Sequence, residues 1–115
     1  MGGLTVVTAA EVLEHALKQA IAEEAEAVDL IYAPDGPGVY LERDGQREEL
    51  GRFPPSQWEP LRRLIGERAG LAPGEDPYQR ALVFTHPYRD QLYFVAAEVG
   101  PTAIRLVPSL APPAP

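Results

Sequence analysis

The sequence predicts an α+β domain in which two main helices pack on a mostly antiparallel sheet of five to six strands. Helix-start patterns, a two-residue hairpin turn and three strand-like segments near the C-terminus favour this class. The predicted order is α-β-β-β-α-β-β-β, which suits one sheet with helices against it. We assign residues 1–108 to a single domain and residues 109–115 to a flexible tail rich in Pro and Ala.

The first helix is predicted to begin after Thr8. Thr8 and Glu11 have the spacing of a capping box, in which the hydroxyl and the carboxylate each accept a hydrogen bond from a backbone N–H. The helix is predicted to continue to about Ala25. Its apolar stripe consists of Val12, Leu13, Ala16, Leu17, Ala20 and Ile21.

Three short strands are expected to follow the first helix. Residues 28–33 are rich in β-branched and aromatic side chains, and the Pro- and Gly-rich residues 34–38 predict a tight connection. Asp44-Gly45 lies between two further extended runs. It predicts a two-residue hairpin turn, because both central residues of a type I′ turn need a positive φ.

The second half of the chain predicts one helix and three strands. Ser56 and Glu59 repeat the capping pattern, and Gly70 is the residue type favoured just after a helix end. Beyond a loop, three antiparallel strands are predicted over residues 80–85, 91–98 and 102–107. The residues from His86 to Asp90 are expected to form a turn between the first two of these strands.

Charge and composition exclude several classes of partner. The net charge of −7 repels the phosphates of nucleic acid and of anionic membrane surfaces. The chain has no long apolar run and no signal-like start, so we expect no membrane insertion and a cytoplasmic location. One Lys against nine Arg, no Asn and 13 Pro are compatible with a heat-adapted source and also with a GC-rich genome.

Residues for catalysis are sparse. There is no Cys, and neither His15 nor His86 has the spacing of a metal ligand. We expect both histidines to be structural, with a general acid/base or a pH switch as the alternative for His86. Gly36-Pro37-Gly38 is the segment most similar to a Gly-rich phosphate-binding loop, but Pro37 interrupts it. We therefore expect a turn there. The sequence therefore predicts no enzyme, no cofactor and no metal site.

Partner binding is the remaining class of function. Trp58 is expected in the core, with an exposed anchor as the alternative, and Tyr88 would favour binding if it were exposed. The acidic run at residues 23–26 is expected to be a solvated helix end or to contact a basic partner.

Several short motifs together resemble a known family. They are Val28-Asp29-Leu30, Gly38-Val39, Arg43-Asp44-Gly45, Phe53-Pro54-Pro55, Leu61 to Leu71 with Ile65 and Ala69-Gly70, and Thr102 to Pro108. In order and approximate spacing they resemble the PAS-like N-terminal domain that precedes the motor in type II secretion and type IV pilus-assembly ATPases. The resemblance covers about residues 9–108.

The resemblance implies a protein-docking domain. In the family this domain packs over the nucleotide held by the motor, and two arginines before the Asp-Gly turn contact the phosphates. Tyr40 and Glu42 stand in their places, and a carboxylate there would repel a nucleotide. The resemblance thus implies a non-catalytic adaptor, with Tyr40, Glu42, Trp58 and Tyr88 as candidate partner-binding residues.

Two alternatives keep a related fold and change the function. One is a PAS-like sensor that binds a small ligand in an apolar pocket. The other is a homodimeric scaffold similar to roadblock modules or secretion chaperones, which pair through a helix or an edge strand.

Overall fold

The chain folds into two helices and six strands in the predicted order, which confirms the α+β class. The structure is a computed structural model that describes residues 8–78 and 80–111. The helices are α1 (Ala9–Ala22) and α2 (Trp58–Arg68), and a short 3₁₀ turn over Pro55–Gln57 precedes α2. The strands are β1 (Ala27–Ala33), β2 (Gly36–Arg43), β3 (Gln46–Arg52), β4 (Ala81–Tyr88), β5 (Gln91–Val99) and β6 (Ala103–Ser109).

The six strands form one antiparallel sheet in the order β3-β2-β1-β6-β5-β4. Two three-stranded meanders are joined where β1 pairs with β6, from Val28 opposite Leu106 to Ile31 opposite Ala103. The first and last strands therefore lie at the centre of the sheet. Strands β3 and β4 form its two edges.

Both helices cover the same face of the sheet. Helix α1 packs on β1, β2 and β6, while α2 packs on α1 and β4. Every second side chain of each strand points toward the helices and fills the space between the helices and the sheet. The core residues of the strands include Val28, Leu30, Val39, Leu41, Leu82, Phe84, Val95, Ala97, Ile104 and Leu106. The opposite face has no helix of the described chain on it, and we call it the open face.

Local signals account for most of the element ends. Thr8 and Glu11 form the predicted capping box, and Asp44 and Gly45 both have positive φ, at 50° and 76°. Helix α2 ends at Arg68 and is closed by Gly70, the predicted stop residue, whose φ is 90°. The Gly70 N–H donates to Glu67 O, and the Leu71 N–H donates to Gly66 O. This pair of bonds is the Schellman closure that favours glycine.

Helix α1 ends at Ala22, three residues before the predicted end. Glu24 adopts a φ of 54° and donates its N–H to Ile21 O, while Ala25 N–H donates to Ala20 O. This is the same Schellman closure with a glutamate in place of glycine. The sequence therefore lacked the usual signal for this helix end.

The second predicted capping box is wrong. Ser56 lies inside the 3₁₀ turn, and the N-cap of α2 is Gln57, which makes no side-chain capping bond. Gln57 Oε1 instead accepts a hydrogen bond of 3.0 Å from the Ala9 N–H. This contact joins the start of α1 to the start of α2.

Three strands reach into segments predicted as turns or tail. Strand β2 begins at Gly36, β4 continues through His86 and Pro87 to Tyr88, and β6 ends at Ser109. Pro87 lies in an edge strand, where a missing N–H is tolerated. Pro108 pairs with β5 on one side. On its other side β1 is no longer paired, because the pairing of β6 with β1 ends at Leu106, so the missing N–H is tolerated there too. Residues 112–115 of the predicted tail lie outside the described residues.

No helix within the described ranges is both long and apolar enough to span a membrane.

Replacing Trp58 with Ala is expected to destabilise the fold by about 3–5 kcal/mol, because a buried aromatic side chain would be lost. Trp58 packs against Phe53 and Tyr32 with ring centroids 6.3 and 5.4 Å apart, and its Nε1–H donates to Pro101 O at 3.2 Å. Urea unfolding followed by far-UV circular dichroism measures the change. Trp58→Phe, the control, keeps an aromatic ring in this space. A loss below about 1 kcal/mol for Trp58→Ala would contradict this packing.

Candidate protein-binding face

The open face divides into two halves of different chemistry. The polar half lies over β1, β2 and β3, with β6 at its border, and the apolar half lies over β4 and β5 with the end of β6. The polar half consists of Asp29, Tyr40, Glu42, Arg47, Glu49, Arg52 and Arg105. The apolar half consists of Val83, Thr85, Pro87, Leu92, Phe94, Ala96 and Val107.

Two carboxylates and two guanidinium groups form a network at the centre of the polar half. Arg105 donates from Nη1 and Nη2 to the two oxygens of Glu42, each at 3.0 Å. Arg105 Nη1 also lies 3.1 Å from Asp29 Oδ2, which accepts a further bond of 3.0 Å from Arg47 Nη2. The central strands β1, β2 and β6 are thus joined with β3 by ion pairs as well as by backbone bonds.

The network determines the charge state of its members. Asp29 is only 5% exposed although it lies on the open face, because its neighbours cover it. The hydrogen bond from Arg105 lowers the pKa of Glu42 below its usual range. The bond with Glu42, together with the nearby Asp29, raises the pKa of Arg105. Glu42 and Arg105 therefore stay charged near neutral pH, and each charge in the network has an opposite charge beside it.

The structure places the four predicted partner-binding residues in three different regions. Tyr40 and Glu42 lie in the polar half, where Glu42 is already bound by Arg105. Tyr88 is half-buried at the end of β4 on the helix side, with its ring 6.4 Å from that of Tyr93. Trp58 is buried, so the alternative that it is an exposed anchor is wrong. These four residues do not form one surface.

Tyr40 lies flat along its own strand. A Cβ atom at Gly38 would come within 3.0 Å of the Tyr40 hydroxyl oxygen, so the glycine leaves the space that the ring occupies. Tyr40 faces Asp29 across the strand pair. It therefore forms part of the border of the charged network.

The apolar half contains none of the residues predicted to bind a partner. Val83, Ala96 and Val107 lie side by side across β4, β5 and β6. Val83 is 42% exposed, Leu92 51% and Val107 36%, and none of the positions in this half carries a charge. A sequence signal for this half was present in β4 and β5, where consecutive residues that point to opposite faces are apolar, although the described helices cover one of these faces.

A groove lies at the end of the sheet where β4 and β6 begin and β5 ends. It has a volume of about 730 Å³ and is lined by Tyr78, Arg80, Glu98, Pro101 and Arg105, among others. Its lining includes both charged and apolar side chains.

The two histidines are not part of the open face. His86, predicted in a turn, lies in β4 on the helix side and is 3% exposed. Its Nε2 is 4.0 Å from Glu14 Oε1. Burial lowers the pKa of His86, and Arg68 acts in the same direction while Glu14 opposes it. Among the described residues, no group of three or more His, Cys, Asp or Glu side chains is placed to hold a metal ion.

Searches against models of known protein families and against curated proteins find no match for this chain.

The burial of His86 predicts a loss of stability as the pH falls from about 7.5 to 5.5. In the unfolded chain a histidine takes up a proton near pH 6.5, whereas the lowered pKa keeps folded His86 neutral there. The folded state is therefore favoured fully above pH 6.5 and progressively less below it. Urea unfolding at several pH values measures this slope.

His86→Gln is expected to flatten the slope, since it removes the titrating group. His15 also has a pKa lowered by burial, so His15→Gln serves as the matched control. It measures how much of the pH dependence of stability comes from His15. If stability depended on pH in His86→Gln as it does in the parent, His86 would have the same pKa in the folded and unfolded chain, which would contradict the prediction.

Proposed function

We propose that the protein is a non-catalytic adaptor domain that binds another protein through the open face of its sheet. The observation that supports this proposal is the apolar half: Val83 and Val107 are exposed on either side of Ala96, and Leu92 is exposed further along β5, beyond the half-buried Phe94. Contiguous exposed apolar patches bordered by polar residues are typical of protein interaction sites.

The polar half contributes orientation and specificity in this proposal. Arg47 and Arg105 are partly exposed, with 49% and 38% of their side chains accessible, while they also bind Asp29. Arginine is enriched in protein interfaces because its planar group can donate several hydrogen bonds at once. A partner that covers the apolar half would meet these guanidinium groups at the border.

The resemblance to secretion and pilus-assembly ATPases supports a component of such a motor as the partner, in the cytoplasm. Nucleotide contact is not part of the proposal. Glu42 stands where the family has an arginine, and its carboxylate is bound by Arg105. The proposed role is therefore docking without turnover.

The proposal predicts that charges placed in the apolar half abolish partner capture. We expect the double variant Val83→Lys/Leu92→Lys to recover at least about tenfold less of a specific partner from native lysate, because two charges would be buried without counter-ions. Quantitative mass spectrometry of the captured proteins measures the difference.

A matched control separates this effect from a change in net charge. Ala10→Lys/Ala22→Lys adds the same two charges at exposed positions of α1, on the helix side. It is expected to capture the partner as the parent does. Equal capture by a still-folded Val83→Lys/Leu92→Lys variant would refute binding through the apolar half.

A further inference from the structure

We infer that a second copy of this chain occupies the open face, so that two sheets pack face to face in a symmetric dimer. This inference rests on the proposed function, because it assigns the same surface: a second copy covers the open face while no other partner is bound, and the two compete for it. It is carried by the distribution of charge, by the area of the face and by the symmetry of its two halves.

The open face is nearly neutral in a strongly acidic protein. Its strand positions carry four of the 17 acidic side chains and three of the 10 basic ones, which leaves a net charge of −1 there out of −7 for the chain. The acidic members are Asp29, Glu42, Glu49 and Glu98, and the basic members are Arg47, Arg52 and Arg105. Two copies would repel each other least when they approach through this face.

The area of the face fits a stable dimer. Six strands about 4.8 Å apart, with about seven residues at about 3.4 Å each, cover roughly 700 Å² per copy. Two such faces amount to about 1,400 Å², which lies within the usual range of specific interfaces. The apolar half alone would provide about half of this area, so the polar half must take part as well.

Two-fold symmetry can place each half of the open face against the same half of the second copy. A two-fold axis that runs across the strands, between the sheets, places the apolar half of one copy on the apolar half of the other. The same axis places the polar halves opposite each other. Arg47 and Arg105 are partly exposed and could then share the carboxylates of both copies, since Glu98 lies beside Arg105 in the register.

A concentration series tests the dimer directly. Sedimentation equilibrium of the purified chain is expected to show a reversible transition from the 12.5 kDa chain to twice that mass. Val83→Lys/Leu92→Lys is expected to raise the dissociation constant at least about 100-fold, whereas Ala10→Lys/Ala22→Lys leaves it within about threefold of the parent value.

Two results would overturn the inference. One is a parent chain that stays monomeric up to about 1 mM. The other is a dimer that a folded Val83→Lys/Leu92→Lys variant retains, as expected if two copies pair edge to edge through β4, because these side chains then stay exposed. A monomeric parent that still captures a partner through Val83 and Leu92 would overturn the dimer alone and leave the proposed function intact.

Discussion

The packing of both helices on one face of the sheet determines the rest of this structure. Helix α1 covers the central strands β1 and β6, and α2 packs beside it over β4, so that apolar side chains of one strand parity form the core. Burial of this apolar surface is the main favourable contribution to folding. Within residues 8–78 and 80–111, the same arrangement leaves the other face of the six strands without a covering layer. The chemistry of that face must therefore be explained by water, by ion pairs or by a partner.

The two halves of the open face differ in how their side chains are satisfied. Over the central strands, Asp29 and Glu42 are held by Arg47 and Arg105, and each charge is compensated within the chain. Removing one member of such a network leaves a poorly solvated charge, which costs more than the network gains in isolation. Over β4 and β5 no such network exists among the described residues, and the apolar side chains remain exposed. We propose that a partner protein covers them.

Much of the fold could be predicted because its signals are local. The capping box at Thr8, the Asp44-Gly45 turn and Gly70 each act within a few residues, and the structure confirms all three. The site could not be predicted in the same way. Asp29 binds side chains 18 and 76 residues away in the sequence, so the network becomes visible only when the strand order is known. Trp58 lies in the core, as expected from the sequence, although tryptophan is a residue type enriched in interfaces.

The central claim is that two copies of this chain associate through the open face of the sheet and not through the helix surface. Methyl NMR of the labelled chain over a wide concentration range tests it most directly. The resonances of Val83, Leu92 and Val107 are expected to shift as the protein associates, while those of the half-buried Leu64 and Leu71, away from the open face, are expected to stay constant. Shifts confined to Leu64 and Leu71, or constant resonances of the three open-face residues throughout, would contradict it.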